Sequence, residues 1–188
     1  AMGVSFAAVA TCTFWASRAP STRVVPPGQP GDPPRLVRGP YLQVGTPTSV
    51  MVRWRTDRAA SARVRVGPPE GEATLVFDGP AGVSEHVVTL AGLEPGMTYR
   101  YVVESDGAAL AGASEPLAFT TAPPLGSREP IFAWVLGDSG TADDGASAVR
   151  DAFAYYASGR VPDLWLMLGD NAYSRGTDDQ FQRAVFEM

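Results

Sequence analysis

The sequence predicts a mixed chain, an all-β antiparallel sandwich followed by the first β-α-β unit of a parallel α/β domain. Three observations predict it. From Arg38 to Thr121, short segments with alternating apolar residues recur between Gly, Pro and Asp turn signals. Two apolar runs, 131–136 and 164–168, each end in Gly-Asp and flank a segment with helical spacing. Pro- and Gly-rich stretches separate the parts, giving a leader and linker over 1–33, a sandwich over 34–122, a linker over 123–129 and the α/β part over 130–188.

Residues 3–16 are apolar, too short to span a bilayer and suited to the core of a secretory signal. The expected location is therefore outside the cytoplasm, secreted or in the periplasm or cell envelope. Val9-Ala10-Thr11-Cys12 resembles a lipoprotein box, with Thr before the Cys a poor fit. Residues 20–34, dense in Pro and Gly, read as an extended linker. A single cysteine allows no internal disulfide and leaves the compartment open.

In the first folded part, Val50, Val52 and Trp54 alternate with Met51, Arg53 and Arg55, and Ala62, Val64 and Val66 alternate with Arg63 and Arg65. One face of each strand is apolar and the other carries arginine. Strands near 74–77, 86–90, 98–104 and 116–121 bring the total to about seven, as a sandwich of this length requires. The arginines read as a solvated sheet face in preference to a basic patch, and His86, with no Cys or other His to join it, reads as a strand-surface residue. The formal net charge of −5, with Arg supplying all 15 basic residues, argues against a nucleic-acid or anionic-membrane surface.

In the second part, neither apolar run alternates, so both strands are expected to be buried on two faces. Between them 143–158 reads as a helix with Val149, Ala152, Phe153 and Tyr156 on its packed face and Gly159 as its stop. Thr177, with Gln180 three residues on, makes a capping box, after which Phe181, Val185 and Met188 follow at helical spacing. A parallel β-α-β unit delivers both strand ends to one sheet edge, the edge at which open α/β folds hold ligands. Asp138 and Asp170 then stand side by side there. Aspartate is a short, hard oxygen donor able to bridge two cations, so the pair suits a dinuclear metal site, although Asp also commonly caps turns.

These residues resemble known families. The blocks GDSG at 137–140 and GDNAY at 169–173 are similar to the first two blocks of the calcineurin-like metallophosphoesterases, and the tyrosine points to their purple acid phosphatase-like branch. That resemblance implies an αββα catalytic domain in which Asp138 binds the first metal, usually Fe(III), Asp170 bridges it to Fe(II), Zn or Mn, and Tyr173 is the phenolate ligand behind the purple colour. It implies hydrolysis of phosphomonoesters, small or protein-borne. Independently, LEPGMTY at 93–99 resembles the E–F corner of a fibronectin type III domain, where Tyr99 bonds to nearby backbone, and Trp54 sits where such domains keep their core tryptophan. The strings RGPYLQVGTPTSVMVRWRTD and EHVVTLAGLEPGMTYRYVV resemble the domain that precedes the catalytic one in purple acid phosphatases.

The family's Asn-His block and later histidines have no counterpart here, so the chain reads as an N-terminal fragment, inactive alone and carrying no complete set of catalytic residues. Two other functions compete. Gly137-Asp138-Ser139 after a strand fits a GDSL-type esterase with Ser139 as nucleophile, but that chemistry also needs a late His. The sandwich by itself fits a secreted, non-catalytic interaction module.

Overall fold

The computed structural model describes residues 32–188, so the signal-like segment, Cys12 and most of the first linker lie outside the described residues. These residues fall into two compact units, 32–130 and 131–188. No helix among them is long and apolar enough to cross a membrane.

The first unit is an all-β sandwich of the fibronectin type III kind. One sheet has the order β1-β2-β5, from Leu36–Gln43, Ser49–Ala60 and Val83–Ala91, all antiparallel. The facing sheet has the order β4-β3-β6, from Leu75–Asp78, Arg63–Gly67 and Thr98–Ser105, with β7 (Ala108–Ala111) and β8 (Leu117–Thr120) both pairing β6. Alternation does the sorting. Val50, Val52 and Trp54 from β2, Val64 and Val66 from β3, Val88 and Leu90 from β5, and Tyr101 and Val103 from β6 all point inward and are buried. At the corner before β6 the Tyr99 hydroxyl accepts from the Glu94 N–H at 2.9 Å, as the LEPGMTY string led us to expect.

Three expectations need correction. His86 is fully buried, because it lies in phase with Val88 and Leu90 on β5 and opposite Trp54 on β2. The arginines occupy two sheets, with carboxylate partners on three of them: Arg55 with Glu85, Arg63 with Asp78 at 2.6 Å and Arg65 with Glu104 at 2.8 Å. The strand β7 was not anticipated, since Ala-Ala-Leu-Ala carries neither β-branched nor aromatic residues.

The second unit contains a two-stranded parallel sheet, β9 (Ala133–Leu136) and β10 (Leu164–Met167), in the register Leu164↔Ala133 to Met167↔Leu136. Between the strands runs α1, Asp144–Ala157, whose N-cap Asp143 accepts from the Ala146 N–H and whose C-cap Ser158 is left-handed. Its docking is aromatic. Phe153 stacks on Trp134 at 4.4 Å between ring centroids and on Phe132 at 5.8 Å, while Trp134 stacks on Trp165 at 5.2 Å.

Burial of both strand faces does not hold. Trp134 meets the helix, but Ala133 and Val135 on the opposite face of β9 are exposed, because no second layer covers them among the described residues. The packed face of α1 is also turned from the expected one. Phe153 and Ala157 pack, whereas Val149 and Tyr156 are exposed and Ala152 points outward. After β10 the capping box of Thr177 and Gln180 forms and starts α2, Asp178–Phe181. The chain then widens into a π-helical segment, Gln182–Phe186, so the spacing expected for Phe181, Val185 and Met188 is not kept as a regular α-helix.

Candidate metal centre

Both Gly-Asp pairs emerge from the same end of the parallel sheet, and backbone hydrogen bonds tie the two loops together. The Asp138 N–H donates to the Gly169 carbonyl at 3.1 Å, the Gly140 N–H to the Asp170 carbonyl at 2.9 Å and the Tyr173 N–H to the Gly140 carbonyl at 2.8 Å. Gly140 makes this closeness possible. A Cβ there would lie 2.3 Å from the Ala172 nitrogen and 2.5 Å from the Asn171 carbonyl carbon, inside any tolerable contact.

Asp138 and Asp170 both hold left-handed backbone, with φ of 57° and 52°. Such a conformation costs a non-glycine residue on the order of 1–3 kcal/mol and persists only where the surroundings impose it. Here it is imposed twice, at the same relative place in two loops.

The result is a convergence of the three residues singled out from the sequence. The Tyr173 hydroxyl lies in contact with Asp138 Oδ1 and 2.9 Å from Asp170 Oδ2. The phenol has one hydrogen to give, so two carboxylates compete for one donor. Their acceptance, Asp138 first, holds the Tyr173 hydroxyl protonated well above the usual phenol range. Between Asp170 and Tyr173 in the chain, Asn171 keeps its Oδ1 buried with no hydrogen-bond partner among the described residues. The cluster is rich in hard oxygen donors and short of protons, which is the chemistry a multivalent cation suits. Among the described residues no three His, Cys, Asp or Glu side chains come together to hold a metal ion, and the cluster is two carboxylates with a phenol. Ser139 is half-buried in the same loop. Sequence reading assigned Gly140 and Asn171 no role beyond their places in the two motifs; the Gly-x-x-Gly spacing around Asp138 was the available signal for the first.

The β-sandwich can be placed by comparison. It matches the family model of the purple acid phosphatase N-terminal domain over residues 37–121. The resemblance read from the strings around Trp54 and Tyr99 is thereby borne out for the sandwich. The purple acid phosphatase match ends before β9 and does not reach the Asp–Tyr cluster. No curated protein matches the chain significantly. Among solved structures, purple acid phosphatase PPD1 from yellow lupin (Lupinus luteus) seeds is 20% identical, with 59% of this chain and 23% of that chain covered and a TM-score of 0.43. The fn3 domain of human contactin 1 is 18% identical, with 62% and 100% covered and a TM-score of 0.37. The fibronectin type III domain of human KIAA0970 protein is 20% identical, with 51% and 76% covered and a TM-score of 0.35. The chain thus spans less than a quarter of the lupin enzyme's length.

Proposed function

We propose that the second unit is the opening portion of a metallophosphoesterase catalytic domain of the purple acid phosphatase kind, and that the parent protein hydrolyses phosphomonoesters. The observation that carries this reading is the meeting of the Tyr173 hydroxyl with carboxylates from two parallel strand ends. In this reading Asp138, Asp170 and Tyr173 would hold the metal pair, Asp138 and the Tyr173 phenolate toward a first ion, Fe(III), and Asp170 toward both that ion and a second, Fe(II), Zn or Mn. A dinuclear centre, when bound, supplies Lewis-acid activation of water and charge neutralisation at phosphorus. The chain's own part is to fix three oxygen donors at one sheet edge, and the strained φ values at Asp138 and Asp170 are what that fixing costs. The sandwich match supports the reading, because the family it names is the N-terminal domain of such phosphatases. The chain's one histidine, His86, is in the sandwich, so these 188 residues offer no imidazole at the cluster and are expected to hydrolyse no phosphomonoester alone.

Metal binding provides the test. Calorimetric titration of the chain with Mn(II) is expected to give saturable binding that Asp170→Asn and Asp138→Asn each weaken at least tenfold. Loading with Fe(III) is expected to give a visible charge-transfer band that Tyr173→Phe removes while the protein stays folded by circular dichroism. Equal Mn(II) affinity in all three proteins would overturn the assignment.

A further inference from the structure

A cleft of about 500 Å³ opens against the ring of Tyr173, between α1 and the π-helical segment. That volume is in the range of small-molecule sites. Arg150 of α1 and Arg183 of the π-helical segment both line it, together with Ser147, Gln180 and a single carboxylate, Glu187. Two guanidiniums, each paired with a neighbouring aspartate, thus share one concavity.

Among the described residues the two arginines are paired with exposed partners. Arg150 donates to Asp151 Oδ1 from Nε and Nη2 at 2.8 and 2.6 Å, and Arg183 pairs with Asp179 at 3.0 Å. The side chains of Asp151 and Asp179 are 66% and 79% exposed. Exposed pairs of this kind bind weakly and yield to a multivalent anion that a guanidinium fork can grip with two parallel bonds. Ser147 adds a hydroxyl that now donates to Met188 Sδ, a poor acceptor. Tyr173 is common to the cleft and to the carboxylate cluster, which puts the two side by side.

We propose that this cleft takes a second anionic group of the substrate, so that the phosphomonoesters preferred by the parent enzyme carry another phosphate or a carboxylate besides the ester cleaved. The proposal rests on the reading of Asp138, Asp170 and Tyr173 as a phosphatase centre. Arg150 and Arg183 act on specificity and take no part in the bond-breaking step.

The test uses inorganic phosphate as probe, titrated into the isotope-labelled 188-residue chain in buffer containing chelator. Saturable shifts at Ser147, Arg150 and Arg183 are expected. Arg150→Gln with Arg183→Gln should weaken the binding about tenfold or more, the scale set by losing a charge-assisted hydrogen bond. Replacing both by Lys should weaken it less, because the charge stays and only the fork is lost. Absence of saturable binding, or equal affinity in the Gln double variant, would overturn the cleft. Mn(II) affinity separates this from the centre itself. Phosphate binding that persists in an Asp170→Asn protein, alongside unaltered Mn(II) affinity in that variant, would sink the phosphatase centre and the substrate assignment while the anion site stood. Mn(II) binding that survives in the Gln double variant while phosphate fails to bind even the unaltered chain would sink the cleft alone.

Discussion

His86 is a buried imidazole with one good partner. It stacks on Trp54 at 4.8 Å and shares a 2.7 Å hydrogen bond with Thr56 Oγ1, while Nδ1 has no partner. Burial pushes its pKa below the ordinary histidine value, with the Glu85 and Asp106 carboxylates opposing the shift. The unfolded chain therefore takes up the proton first as pH falls. Stability from this group is complete above about pH 6.5, the unfolded value, and is lost as pH drops toward the folded pKa, at no more than about 1.4 kcal/mol per pH unit for one proton. Urea titrations of the sandwich at pH 7 and pH 5 are expected to show this loss, and His86→Phe is expected to flatten it. The misreading of His86 from sequence came from weighing its polarity above its position, since its alternation with Val88 and Leu90 was already visible. Asp138, Asp170 and Tyr173 were legible for the opposite reason. The direction of two parallel strands sets Asp138 and Asp170 side by side, and the GDNAY resemblance brought Tyr173 to notice beside them.

At the scale of elements, what could be read depended on whether one periodicity dominated. The sandwich strands alternate cleanly and were located within a few residues, except β7, which has no side chain that marks a strand. Helix α1 is rich in alanine, so two faces compete. Phe153, on the face the sequence favoured, does pack against Trp134, but the buried neighbour is Ala157, so the packed face is turned away from Val149, Ala152 and Tyr156. The apolar runs of β9 and β10 recorded what those strands are able to bury, whereas the layers present decide what is buried. The joint between the two Gly-Asp loops makes a sharper prediction. Gly140→Ala forces a methyl into the backbone of Asn171 and Ala172, which cannot swing aside as a side chain can. It is expected to destabilise the second unit by about 1–3 kcal/mol, the range for overpacking, and to weaken Mn(II) binding by parting the donors. Thermal melts followed in the near ultraviolet, with Mn(II) titration of the folded fraction, check both effects.

For the whole molecule, the two units differ in how fully they enclose themselves. The sandwich closes a core from two sheets, whereas the second unit rests one helix on a pair of strands and leaves Ile131, Val135 and Leu168 at least half exposed. Two strands with an open face are marginal in water. Limited proteolysis is expected to cut first around Leu125, which is 96% exposed, and then to digest 131–188 while a core ending near Ala122 persists. Equal resistance of both parts would contradict this ordering. The same aromatic stack that seats α1 also gives the second unit an optical signature. Trp134 and Trp165 lie near enough, at 5.2 Å and 17° between planes, for their transition dipoles to couple. Among the described residues this is the one Trp–Trp stack, so the resulting split dichroic band reports on the second unit. Trp54, by contrast, stacks on the His86 ring inside the sandwich, 4.8 Å between centroids, and has no indole beside it among the described residues.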